Sequence, residues 1–76
     1  MKNKDVVIGM KVVPTRKTIY PPLSGSVVWN RAQQHGRKYL YVIYRNEEMN
    51  CWELNDHHSR ERGDFFKAKD FVEYVG

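Results

Sequence analysis

The sequence predicts a mainly β fold: a small five-stranded barrel, with one short α-helix between strands 1 and 2 and a one-turn helix before the last strand. Three observations carry this reading. Alternating apolar residues recur in short runs separated by turn-forming residues, the pattern of short half-buried strands. Ten aromatic residues in a chain of 76 supply large rings for a compact core. The closing stretch, Gly63 to Tyr74, reads as a turn, a short strand, a single helical turn and a last strand.

Taken in order, Val6 to Val13 is the first expected strand. Val6, Ile8, Met10 and Val12 share one parity and make one side apolar, with Gly9 as a soft spot. Pro14 ends the strand, because proline cannot donate to a ladder. Thr15 to Gly25 is an irregular connection in which Pro21 and Pro22 favour an extended path. Ser26 to Gln34 reads as the short helix, with Ser24 or Ser26 as its cap and Gly36 as the left-handed residue beyond its end. Two adjacent valines and Trp29 are middling helix formers, so an extended path over Ser26 to Asn30 is the alternative.

Lys38 to Arg45 is the strongest strand signal, with β-branched and aromatic residues on both faces. Asn46 to Asn50 is a five-residue turn, and the chain returns in Cys51 to Asn55, where Trp52 and Leu54 share one face and Cys51 and Glu53 the other. Asp56 to Arg62 reads as an exposed polar loop. Phe65 to Ala68, the helical turn Ala68 to Phe71, and the strand Phe71 to Val75 complete the chain. Phe65 or Phe66, together with Phe71, are expected in the core.

The whole of 1–76 makes one domain, with no repeat, low-complexity run or linker. A chain of this length buries only about 60–65% of its unfolded surface, so its core is thin. Cys51 is the only cysteine, which excludes an intrachain disulfide and favours a reducing compartment. The apolar run after Asp5 is too short for a signal-peptide core or a membrane span. The expected location is cytoplasmic.

Charge is distributed unevenly. Residues 1–45 carry nine Lys or Arg and one acidic residue, whereas residues 46–76 carry four and eight. The halves are therefore +8 and −4 within a net +4. Such asymmetry suggests a basic side that attracts polyanions, unless the fold interleaves the halves and mixes their charges.

The element order resembles an SH3-like barrel. Ile8-Gly9-Met10-Lys11-Val12-Val13-Pro14 at the start and Phe66-Lys67-Ala68-Lys69-Asp70-Phe71 at the end carry the resemblance. It covers nearly the whole chain through generic motifs. In size the chain is similar to small SH3-like products of bacterial or phage accessory genes. Two departures stand out: a helix in the long first connection, and Arg16 and Lys17 where signalling SH3 domains have an acidic cluster. The second argues against recognition of basic proline-rich peptides.

Three kinds of site fit the residue types present. Tyr20-Pro21-Pro22-Leu23 flanked by Trp29 has hot-spot composition and suggests a protein-interaction or adaptor surface. The alternative is that Leu23 and Trp29 anchor the loop. Tyr20, Trp29, Tyr39, Tyr41, Tyr44 and Trp52 offer flat faces. Arg16, Lys17, Arg31, Arg37, Lys38 and Arg45 offer positive charge. That pairing suits single-stranded nucleic acid, in which bases stack on rings and cations follow phosphates. Its alternative is that the rings are core and the cations simply solvate the surface. The binding residues expected on either view are Arg16, Lys17, Tyr20, Trp29, Arg31 and Arg37, with a protein partner ranked ahead of nucleic acid and no membrane partner.

A catalytic or metal site is the third kind. Asp56, His57 and His58 adjoin, but no CxxC or HxxxH spacing is present. Cys51 lies in an expected strand, where a thiol packs rather than reacts. No phosphate-loop motif occurs. No enzyme activity, cofactor or metal is expected.

Overall fold

The structure is a computed structural model that describes residues 1–15, 25–58 and 61–76. Its elements follow in order: a 3-10 turn at Asn3–Asp5, strand β1 (Lys11–Pro14), helix α1 (Val27–Gln34), strands β2 (Leu40–Asn46), β3 (Cys51–Asn55) and β4 (Asp64–Phe66), a 3-10 turn at Ala68–Asp70, and strand β5 (Phe71–Glu73). The five strands form one sheet in the order β4-β3-β2-β1-β5. Every neighbouring pair is antiparallel.

The first strand is shorter than its apolar alternation predicts. Val6 to Ile8 does not join the ladder, and Met10 joins it only through its carbonyl, which accepts from the Val42 amide at 3.0 Å. The segment folds into a tight turn with Gly9 at φ 93°, leaving Val7 and Ile8 exposed while Val6 reaches the core. The Gly9 amide still donates to the Val42 carbonyl at 2.7 Å, so the turn is tied to β2. Pro14 is the last residue of β1, opposite Phe71. There its missing N–H costs no central hydrogen bond.

Helix α1 forms as its caps predict. Ser26 Oγ accepts from the Trp29 amide at 3.2 Å, satisfying one orphan donor of the first turn. The same hydroxyl donates to Asp64 Oδ2 at 2.7 Å, which ties the helix start to β4. Gly36, at φ 72°, lies just beyond the helix end, where a left-handed residue closes the last turn without a Cβ penalty. Val28 and Ala32, one turn apart, are the buried face of the helix.

Strands β2 and β3 make the central hairpin. Asn46 pairs with Cys51, so four residues turn the chain rather than five, and Asn50 takes the positive φ of 50°. The register shifts between Val42 and Tyr44. Paired residues share a face. Leu54, opposite Val42, is core, so Asn55 and Glu53 face the other way, opposite Tyr41 and Tyr44. The shift at Ile43 thereby puts two tyrosines three residues apart on one face.

The core comprises Val6, Val12, Val28, Ala32, Leu40, Val42, Trp52, Leu54, Phe66, Ala68 and Phe71, with Met1, Met10 and Trp29 packed against it. Phe66 and Phe71 are buried and Phe65 is exposed, as the expected choice between the two adjacent rings allowed. Gly63 sits where a Cβ would collide with the Leu54 carbonyl, so only glycine lets the chain enter β4 this close to β3. The last strand stops at Glu73, although Tyr74 still donates its amide to the Lys11 carbonyl at 2.9 Å.

Candidate functional site

Of the six residues expected to bind a partner, Arg16, Lys17 and Tyr20 lie outside the described residues, as does the Pro21-Pro22-Leu23 stretch. Trp29 is half-buried, with its ring against the core. Arg31 and Arg37 converge, but on the protein itself. Arg31 Nε and Nη2 each meet an oxygen of the Asp56 carboxylate at 3.0 Å, and Nη2 also donates to Asn55 Oδ1 at 3.0 Å. Arg37 donates from Nη1 to the Asp56 carbonyl. Arg31 thus fastens α1 to the end of β3, whereas Arg37 commits one nitrogen to a backbone carbonyl and its side chain stays exposed.

Asp56 belongs to the stretch expected as an exposed loop, yet it is 5% exposed. Burial pushes its carboxyl pKa up. The hydrogen bond and charge of Arg31, with the residue's own backbone amide and His57, outweigh that and hold it below the ordinary 3.8. Arg31 is reciprocally held further into its charged form by the same hydrogen bond and ion pair.

A second arginine–carboxylate pair has its carboxylate on β3 itself. Arg62 Nε and Nη2 donate to the two oxygens of Glu53 at 2.6 and 2.8 Å, and Glu53 is fully buried. The bidentate fork satisfies a carboxylate that burial would otherwise make costly. Arg62 also lies over the Tyr44 ring at 5.5 Å, and Arg45 over Trp52 at 4.9 Å. Between them is an open depression of about 410 Å³ lined by Tyr44, Arg45, Asn46, Glu47, Glu48 and Arg62. Its cations face adjacent carboxylates and carbonyls, so its field is mixed.

The outer face over β1 and β2 differs. Tyr39 and Tyr41 meet edge to face with centroids 5.4 Å apart. Tyr39 also packs on Tyr74 at 5.0 Å, and Tyr41 stacks on His58 at 5.3 Å with 24° between planes. Lys11 Nζ stands 4.6 Å from the Tyr39 ring centre. The result is a continuous row, Tyr74–Tyr39–Tyr41–His58, carrying a lysine. The electrostatics agree with the geometry. Tyr39 has its phenol pKa lowered, first by its hydrogen bond with Tyr41 and then by the charges of Lys11 and Arg37. Tyr41 is raised, first by that same hydrogen bond and then by burial.

Tyr39, Tyr41 and Arg37 stand among the aromatic and basic residues singled out in the sequence. Lys11, His58 and Tyr74 do not. The pairing of β1 with β2 and β5 brings them in: Lys11 is opposite Tyr41, and Tyr74 follows the end of β5 beside Lys11. Period-2 alternation at Tyr39 and Tyr41 was the one local signal.

Chemistry elsewhere is sparse. Burial pushes the Cys51 thiol pKa up, with Glu53 adding to it, opposite to what a nucleophile needs. Among the described residues no group of three or more His, Cys, Asp or Glu side chains is placed to hold a metal. His57 Nε2 lies 3.8 Å from Asp56 and 3.6 Å from Glu61. No helix among the described residues is long and apolar enough to cross a membrane. No family model, curated protein or solved structure matches the chain.

Proposed function

We propose that this protein is a non-catalytic binding module built on an SH3-like barrel, and that its outer face over β1 and β2 takes single-stranded nucleic acid. Barrel closure is supported by a distance argument. Strands β4 and β5 stand at opposite ends of the strand order but are separated only by Lys67 to Asp70. Four spacings of a flat five-stranded sheet come to about 19 Å. The short connection, three residues of it in a 3-10 turn, spans roughly 13 Å. This supports a sheet whose ends curl together.

The observation that carries the ligand is the row Tyr74–Tyr39–Tyr41–His58 with Lys11 over it. Aromatic faces beside cations hold unpaired bases and their phosphates. Arg31 and Trp29, by contrast, are held by the scaffold. This moves the expected contact surface from the first long connection to the sheet. The lone, buried thiol of Cys51 accords with a cytoplasmic location.

The test is fluorescence anisotropy of labelled oligo-dT and oligo-rU at low and moderate salt. Binding that weakens with salt and is reduced by Tyr41→Ala supports the reading. No binding at low salt overturns it.

A protein-interaction or adaptor role is the second reading, favoured by the exposed side chains of Val7 and Ile8. They sit in the turn whose Gly9 faces His58, at 3.3 Å from a would-be Cβ to Nε2, and so extend the aromatic row with apolar surface. This reading expects a captured protein partner that is lost on Val7→Ser/Ile8→Ser and unmoved by salt. A partner retained by that variant counts against it.

A further inference from the structure

We infer that the aromatic row takes a short strand laid across the sheet, about one nucleotide per ring from Tyr74 to His58, with Lys11 and Arg37 as its two phosphate contacts. The inference rests on the nucleic-acid reading above and specifies its footprint and charge contacts.

The row's outer steps pass between strands, while its middle step, Tyr39 to Tyr41, runs along the chain into β2. Tyr74 joins Lys11 through its amide, Lys11 pairs with Tyr41, and Tyr41 pairs with Asn55, three residues before His58. The path therefore crosses from the end of β5 over β1 and β2 to the end of β3. Its three centroid steps, each about 5 Å, make it at most about 16 Å long. That length, and four rings, set a footprint of about four nucleotides.

The rings also select the form of the ligand. Their centroids are 5.0, 5.4 and 5.3 Å apart, whereas one strand of a duplex advances about 3.4 Å per nucleotide. Successive planes are inclined by 40°, 84° and 24°. Bases held in a duplex stack cannot follow such turns. Splayed, unpaired bases can. His58 at the row's end is exposed and stacks on Tyr41, so it offers the terminal base a platform.

Lys11 is placed to set the charge contact. Its ammonium stands over Tyr39, in the middle of the row, and its charge together with that of Arg37 reaches the Tyr39 phenol. Arg37 directs Nη1 to the Asp56 carbonyl, which fixes the guanidinium near the same end of β2. Two phosphate contacts on a single strand predict a log K against log salt slope of about −1.4, or a roughly seven-fold loss of affinity between 50 and 200 mM salt.

The experiment measures the affinity of the full chain for oligo-dT of two to ten nucleotides by anisotropy, with salt titrations on wild type, Lys11→Met and Lys67→Met. Affinity should climb to about four nucleotides and then flatten. Lys11→Met should halve the slope to about −0.7. Lys67→Met, at the opposite end of the fold, should leave it unchanged. Duplex DNA of equal length should bind at least ten-fold more weakly. Affinity that climbs steeply beyond six nucleotides, a slope unaltered in Lys11→Met, or equal binding of duplex overturns the inference while leaving single-strand binding standing. No binding of any oligonucleotide at low salt overturns both. Circular dichroism on Lys11→Met, whose side chain is exposed, ensures that a lost slope is not a lost fold.

Discussion

The two halves of the outer sheet surface use the same residue types in opposite ways. Over β3 and β4, Arg31 and Arg62 are clamped by Asp56 and Glu53, each carboxylate taking two donors and lying almost or wholly buried. Over β1 and β2, Lys11 and the four-ring row meet no comparable carboxylate clamp among the described residues, and the lysine rests on an aromatic face instead. The lesson is that a count of basic residues does not locate available charge. An arginine opposite a buried carboxylate is scaffold, because moving it leaves an uncompensated ion in a low dielectric. A lysine on a ring remains open to an anion from solution.

The contrast can be broken or sharpened by measurement. The largest effect should come from the scaffold beneath both halves. Phe71→Ala removes a fully buried ring and should cost about 3–5 kcal/mol in urea unfolding, enough to leave a domain this small largely unfolded. Arg62→Met comes next. It strands the Glu53 carboxylate, so the urea midpoint should fall well below wild type, while Lys11→Met should leave it almost unmoved. Equal midpoints for the two variants would erase the distinction between clamped and available cations.

Removal of an end platform should act the other way. His58→Ala is expected to weaken oligonucleotide binding roughly five- to 150-fold, the range for one stacked base, with little change in stability. Ser26→Ala loses the helix cap and the contact to Asp64, and should cost about 1 kcal/mol with no change in the affinity of the folded protein.

The smallest effect is on pH dependence. The Asp56 carboxyl has its pKa lowered in the folded state, so folding binds fewer protons there than unfolding. Its contribution is fully present above the ordinary carboxylate value of 3.8 and is lost as pH falls through the lower folded value. Acid unfolding of wild type should therefore show a steeper limb below about pH 4 than Arg31→Gln. Identical acid limbs would mean that Arg31 does not hold this carboxylate in solution.

How much of this was legible beforehand differs by element. Strand β3 begins and ends at the expected residues, Cys51 and Asn55, because alternation and the preceding turn specify both ends. The helix cap at Ser26 and the left-handed Gly36 were also legible, being local chemistry within a few residues. Strand β1 was not. The alternation from Val6 to Val12 continues through a segment that tertiary contacts fold into a turn, since Gly9 and its bond to Val42 leave no place in the ladder for Val7 and Ile8.

The candidate site was legible only in its types of residue. Tyr39 and Tyr41 on one parity announce an aromatic face, but Lys11, His58 and Tyr74 are remote in sequence and meet them through strand pairing. Asp56 illustrates the same limit from the other side. In the sequence it is a polar loop residue beside two histidines, while in the fold it is the buried anchor of Arg31.

By itself the sequence determined a mainly β fold, its helix caps, its central hairpin and a basic, aromatic character, because these follow from periodicity and turn chemistry acting over a few residues. Only the tertiary structure decided which cations are clamped and which are available. Partners such as Arg31 and Asp56, or Arg62 and Glu53, come from the helix, the approach to β4 and strand β3 with its end, which only the fold brings together, and a shift of one residue at Ile43 is enough to change which side chains share a face.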